Sequence, residues 1–180
     1  MKKPNNRYRT KSVRLQDWDY GSVGSYFITI CTQSRIHFFG KVISNDDSSA
    51  YTSLSPIGEI VRTQWLKTFE MREDMNLKMG EFVIMPNHFH AIIGIGENTY
   101  NDKPYSKGKK NQFGPQSKNL ASIVRGFKSA VTMDARKIKP EFQWQSGYYD
   151  HVIQNRISLE KISKYIKNNP ATWNDDDFNK

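Results

Sequence analysis

Two histidines one residue apart, His88 and His90, lie inside the apolar run Ile84-Met85-Pro86-Asn87-His88-Phe89-His90-Ala91-Ile92-Ile93. On a β-strand, residues two apart project to the same side, so this spacing sets both imidazoles side by side on a face otherwise lined by Ile84 and Ile92. Polar rings among aliphatic side chains cost free energy unless something satisfies them, and a shared divalent cation would do so. A sheet edge, where the rings are hydrogen-bonded or solvated, suits the same pair. A second segment of interest is Leu159-Glu160-Lys161-Ile162-Ser163-Lys164-Tyr165-Ile166-Lys167-Asn168-Asn169-Pro170. As a helix it packs Leu159, Ile162 and Ile166 in one stripe, with Tyr165 and Asn169, four apart, stacked beside it. On those positions alone Tyr165 also reads as an amphipathic rim residue and Asn169 as a C-terminal cap.

The elements that must position these residues show in the hydrophobic periodicity. A strand is expected over about 25–33, with a short extended piece near 36–43 and a polar loop at Asn45-Asp46-Asp47-Ser48-Ser49. Ser55 as N-cap and Pro56 at the first helical position open a helix whose buried face is Ile57, Ile60, Val61, Trp65 and Phe69. Strands follow at about 77–85 and 88–95, with Pro86-Asn87 as a bend or bulge between them. Leu120, Ile123, Val124, Phe127, Val131, Ala135 and Ile138 form one stripe of a helix running roughly from Lys118 to Ile138. The aromatic segment 142–153 reads as part loop, part strand. A last helix begins near Ser158 and stops at Pro170. The order β-α-β-β-α-β plus a final helix predicts an α+β fold: a ferredoxin-like (split βαβ) antiparallel sheet with helices on one face, plus a C-terminal helix carrying Tyr165.

A chain of 180 residues suits one globular domain with an arm: residues 1–20 as a basic N-terminal arm and 21–175 as the domain. No apolar run reaches the roughly 20 residues that span a bilayer, and no charged-then-apolar leader opens the chain, so export is not expected. The single Cys31 cannot form an internal disulfide and reads as packing. A net charge of +9 favours a polyanionic partner, and its placement is more telling than its sum. Lys2, Lys3, Arg7, Arg9, Lys11 and Arg14 precede any acid, as in a mobile arm that gains order on a phosphate backbone. Residues 97–117, with Lys103, Lys107, Lys109 and Lys110, read as a long flexible loop. Arg125, Lys128, Arg136 and Lys139 fall away from the apolar stripe of their helix, opposed only by Asp134. Such a face is either solvated or a nucleic-acid contact, and the imbalance favours the second.

Taken together, Pro86-Asn87-His88-Phe89-His90 and Tyr165-Ile166-x-Asn168-Asn169-Pro170 resemble the REP-associated tyrosine transposases. These are bacterial relatives of the single-tyrosine insertion-sequence transposases in the His-hydrophobic-His endonuclease superfamily. The resemblance extends to the Tyr26-Phe27-Ile28-Thr29 strand and to the segment from Phe142 to Asn155. It implies a metal-dependent single-strand DNA endonuclease and strand transferase acting on hairpin or palindromic DNA. By position it makes His88, His90 and Asn169 metal ligands, Tyr165 the nucleophile that forms a 5′-phosphotyrosine, and His151 an accessory active-site residue. Mg²⁺ or Mn²⁺ is the implied cofactor, with Mn²⁺ better matched to nitrogen ligands. A monomer or homodimer in the cytoplasm, at the nucleoid, is the implied setting. Two readings of other classes remain open. His88, His90 and His151 could form a three-histidine zinc site of a hydrolase. Alternatively, the sheet could be a non-catalytic nucleic-acid-binding module, with Tyr26, Phe27 and Phe89 stacking bases.

Overall fold

Aliphatic and aromatic side chains on alternate sides make Gly24–Cys31 (β1) a strand buried on both faces, and it becomes the centre of the sheet. The structure, a computed structural model, describes residues 15, 18–45, 49–102 and 117–179. β1 pairs antiparallel with His88–Ile95 (β5) on one side and with Tyr149–Ile153 (β6) on the other. Leu77–Ile84 (β4) adds to β5, giving the order β4-β5-β1-β6. Two helices, Pro56–Glu70 (α1) and Leu120–Ala135 (α2), cover one face around the main core. There Trp65 meets Phe89 and Phe127 with ring centroids 5.0 and 5.3 Å apart. Arg156–Asn168 (α3) lies on the opposite face, held by Ile166 against Phe27 and Ile92. This is the ferredoxin-like arrangement predicted from the element order, with the extra helix on the second face.

Local chemistry sets the helix starts. Ser55 Oγ accepts from Gly58 N at 3.1 Å. Asn119 and Ser122 form a reciprocal capping box on α2, and Asn155 Oδ1 caps α3 through Ser158 N at 2.8 Å. Each such cap contributes about 1 kcal/mol.

Four details differ from the sequence expectation. Ala50–Leu54 (β3) forms a separate two-stranded hairpin with Gly40–Ser44 (β2), and only the latter was partly anticipated. Its residues are half-buried and largely polar, so no apolar alternation announces it. Pro170 ends the α-geometry but not the helix, because Asn169–Asp175 continues as a 3₁₀ helix with Pro170 in its first turn, where no N–H is needed. Of the bend or bulge expected at Pro86-Asn87 the bend is found, a tight two-residue reversal with Met85 N donating to His88 O at 2.8 Å. The bulge lies instead between Met79 and Phe82. A Cβ on Gly80 would stand 2.7 Å from the Ile92 side chain, so the bulged strand needs glycine there. Finally, Ile84 pairs with Phe89 and belongs to the main core, so the histidine face is shared with Ile92 and Phe27 rather than with Ile84.

Trp18 and Tyr20, counted with the arm from sequence, pack against the core. The arm cations Lys2, Lys3, Arg7, Arg9, Lys11 and Arg14, and the loop cations Lys103, Lys107, Lys109 and Lys110, lie outside the described residues. Among the described residues no helix is long and apolar enough to cross a membrane.

Candidate active site

Alternation along β5 sends Phe89, Ala91 and Ile93 into the main core and turns His88 and His90 to the α3 face. Their ring centroids are 4.5 Å apart, and both rings are buried. His88 Nδ1 lies 2.9 Å from Asn87 Oδ1. Asn87 Nδ2 donates to Arg35 O at 3.1 Å and to Phe178 O at 2.7 Å, which fixes the amide with its oxygen toward the ring. His88 therefore donates from Nδ1, and its Nε2 carries the lone pair. His90 Nδ1 is 2.8 Å from Thr29 Oγ1 on the neighbouring strand, and its Nε2 is 3.2 Å from the Tyr165 hydroxyl.

Helix α3 delivers the other two groups. Tyr165 is 44% exposed, its ring edge-on to Phe27 and 5.3 Å from His90. Asn169, one turn on, is buried, with its amide close enough to influence both His88 and Tyr165. His88 Nε2 and Asn169 Oδ1 are buried acceptor atoms without a hydrogen-bond partner among the described residues. Two such orphans side by side are costly unless a further group sits between them.

Burial pushes the His88 imidazole down to about 2, with the charge that His90 would carry adding to the effect and the Asn169 amide opposing it. Burial alone takes His90 to about 3. Both rings are thus neutral near pH 7, the form that binds metals. The Tyr165 phenol moves up, through burial first and then the charge of Asp176, so it is protonated at neutral pH. The histidine shifts carry a stability consequence. Their folded values lie below the unfolded value near 6.5, so the unfolded chain binds more protons as pH falls from 6.5 toward 3. Stability present above pH 6.5 should be lost across that window, at up to about 1.4 kcal/mol per pH unit for each ring. Denaturant titrations between pH 7 and 5, before carboxylates titrate, should show it in the metal-free protein. The His88→Gln/His90→Gln double variant should be flat there, and an equally steep fall in that variant would refute the assignment.

Residues 173–178 close over the pair. Phe178 stacks with its centroid 4.5 Å from His88 and 6.0 Å from His90, and Trp173 stands 6.0 Å from His88. Arg35 lies over the Phe178 ring at 5.3 Å and donates to Asp177 O.

Of the residues singled out from sequence, His88, His90, Tyr165 and Asn169 come together. His151 does not join them. It sits exposed on β6 opposite Phe27, with β1 between it and the pair. Among the described residues no three His, Cys, Asp or Glu side chains gather at metal-binding distance, so the three-histidine zinc site is not assembled. Tyr26, Phe27 and Phe89 are buried beneath helices and offer no open stacking platform. Arg125, Lys128 and Arg136 gather elsewhere, along one groove beside α2. Cys31 is a free thiol, half-buried and opposite His88. Sequence reading missed the orienting roles of Thr29 and Asn87 and the cover made by Trp173 and Phe178. The adjacency of Asn87 to His88 was the one available signal.

No family model matches the chain. A Haemophilus influenzae protein, described only as uncharacterized, is 37% identical over 181 residues, covering 94% of this chain and 92% of that protein. Among solved structures, a REP-associated tyrosine transposase bound to a REP hairpin superposes with a TM-score of 0.56 at 18% identity, over 87% of this chain and 72% of that one. A candidate transposase of Deinococcus radiodurans gives a TM-score of 0.42 at 14% identity, over 86% of this chain and 95% of that one. The chain belongs to one family with the Haemophilus influenzae protein, and its fold is that of the REP-associated tyrosine transposase.

Proposed function

We propose that the protein is a transposase-type DNA nicking and joining enzyme with Tyr165 as nucleophile. The observation that carries this reading is the meeting of a half-exposed phenol, two neutral imidazoles and an orphaned amide oxygen at one place on the sheet. The fold likeness to a transposase supports it, and that protein's REP hairpin supports single-stranded, hairpin-forming DNA as the substrate here. The orphaned acceptors fit a divalent cation, Mg²⁺ or Mn²⁺, which His88 Nε2, His90 Nε2 and Asn169 Oδ1 would hold. When bound, that ion would supply positive charge against the phosphate oxygens.

Tyr165 Oη forms the new bond to phosphorus while the bond to the 3′-oxygen breaks, leaving a 5′-phosphotyrosine and a free 3′-OH. The phenolic proton must depart; with His90 Nε2 committed to the ion and the Tyr165 side chain nearly half exposed, it leaves to water, and the departing 3′-oxygen takes up a proton from water. The phosphotyrosine link keeps the bond energy, so the 3′-OH of another strand can reverse the reaction without ATP. The basic arm from Lys2 to Arg14 is proposed to add phosphate contacts outside the site.

Asn87 acts through His88. Asn87→Ala would leave Nδ1 unpaired and the ring unfixed, and losing such a partner typically weakens metal affinity about 10- to 100-fold. A Mn²⁺ titration giving the wild-type affinity would remove this role. The function itself is tested with an end-labelled hairpin bearing single-stranded flanks, incubated with Mg²⁺ or Mn²⁺. An SDS-resistant protein–DNA adduct is expected, and its absence with both ions would reject the reading.

A further inference from the structure

On the α2 side of the sheet a groove of about 860 Å³ runs between α2 and the chain from Gln143 to Tyr148. Arg125, Lys128, Ser129, Met133 and Arg136 line its helical wall, and no acidic residue lines it among the described residues. The walls are tied together. Lys128 Nζ donates to Gln145 O and Gly147 O, each at 2.8 Å, and Trp144 Nε1 donates to Lys128 O at 3.2 Å. Lys128, expected from sequence to meet DNA directly, thus serves to hold the groove's shape. Arg136 braces the far end through Nε to Phe142 O at 3.1 Å. The surface offered is cationic at the rim and apolar within. Met133 is 70% exposed, and the Trp144 and Tyr148 rings are partly open.

The groove also adjoins the histidine strand. Thr32 bridges to Trp144, and Gln145 N donates to Cys31 O at 2.9 Å. Cys31 is itself paired with His88. One β1 terminus therefore joins the groove wall to the strand that carries the candidate site.

We infer that this groove holds a single-stranded flank of the DNA substrate, which passes round the β1 terminus from the opposite, histidine-bearing face of the sheet. This rests on the function proposed above and names a binding site for its substrate. Positive charge meets the backbone, while exposed bases can cover Met133, Trp144 and Tyr148. A regular duplex keeps its bases stacked inside and would leave those apolar surfaces uncovered. From Ala121 to Arg136 the wall extends about 22 Å at the rise of an α-helix. That matches the shortest single-strand sites, roughly four nucleotides.

Fluorescence anisotropy with two probes tests the assignment: a hairpin with single-stranded flanks, and the same hairpin without them. Ser129→Glu and Met133→Glu each put a negative charge into the groove at an exposed position, with thermal melts confirming the fold. The flanked hairpin should bind about tenfold more weakly to either variant, with the flankless hairpin unaffected. Wild-type affinity for the flanked probe in both variants would overturn the inference. Equal weakening of both probes would also overturn it, placing the duplex stem in the groove instead. The adduct assay on the wild-type protein separates the two proposals. Selective loss of flank binding with no wild-type adduct would keep the groove and reject the enzyme. An adduct with undisturbed flank binding would do the reverse.

Discussion

Replacing Tyr165 by phenylalanine is expected to abolish the covalent protein–DNA adduct, a loss of at least about a thousandfold as for other removed nucleophiles. The substitution deletes one oxygen and keeps the ring against Phe27 and His90. The hydroxyl belongs to a side chain that is nearly half exposed and meets His90 Nε2 at 3.2 Å, with the Asn169 amide nearby. Folding stability should therefore change by no more than about 1 kcal/mol. An SDS gel with labelled hairpin DNA, run beside a thermal melt, reads both quantities. A variant that still forms the adduct at full yield would move the nucleophile elsewhere. Tyr149 would come next, because it is exposed on the same face and meets Phe27 edge-on, whereas Tyr148 lies in the α2 groove.

Loss of either histidine should be nearly as damaging. His88→Ala and His90→Ala are each expected to remove measurable Mn²⁺ binding and to cut cleavage at least about a hundredfold, because one imidazole and one amide make a poor site. Both rings are buried, so truncation also leaves a cavity and costs about 1–3 kcal/mol of stability. Calorimetric titration with Mn²⁺ separates the two effects when it is run well below each variant's melting temperature. Unchanged Mn²⁺ affinity in both variants would end the metal assignment.

The periodic elements were legible because their side chains have one place to go. Leu120 to Ala135 and the alternating β1 residues bury a continuous face, and both came out within a few residues of the expected bounds. The order of elements then set the topology. What escaped was set by contacts between segments distant in the chain. Nothing local says that Thr29 will stand beside His90, since that follows from the register of β1 on β5. The cover made by Phe178 depends on the helix continuing past Pro170, against that residue's usual effect. The β2–β3 hairpin escaped because half-buried polar strands carry no hydrophobic rhythm. The meeting of Tyr165 and Asn169 with His88 and His90 was expected from motif resemblance. Helical spacing alone joined only the first two.

That meeting has an asymmetry. The imidazoles belong to the sheet, whereas the phenol and the amide belong to α3 and its 3₁₀ continuation, separated by one helical turn. The seam between the two parts is the small apolar patch of Phe27, Ile92 and Ile166. A rigid helix cannot retract Tyr165 and leave Asn169 behind. Under the proposed chemistry the attacking oxygen and one of the ion's donors would thus travel as a unit, like two teeth of one key. A loosened α3 would disarm the nucleophile and withdraw one of the ion's three donors in the same movement, so an ion held firmly with no phenol beside it would be rare.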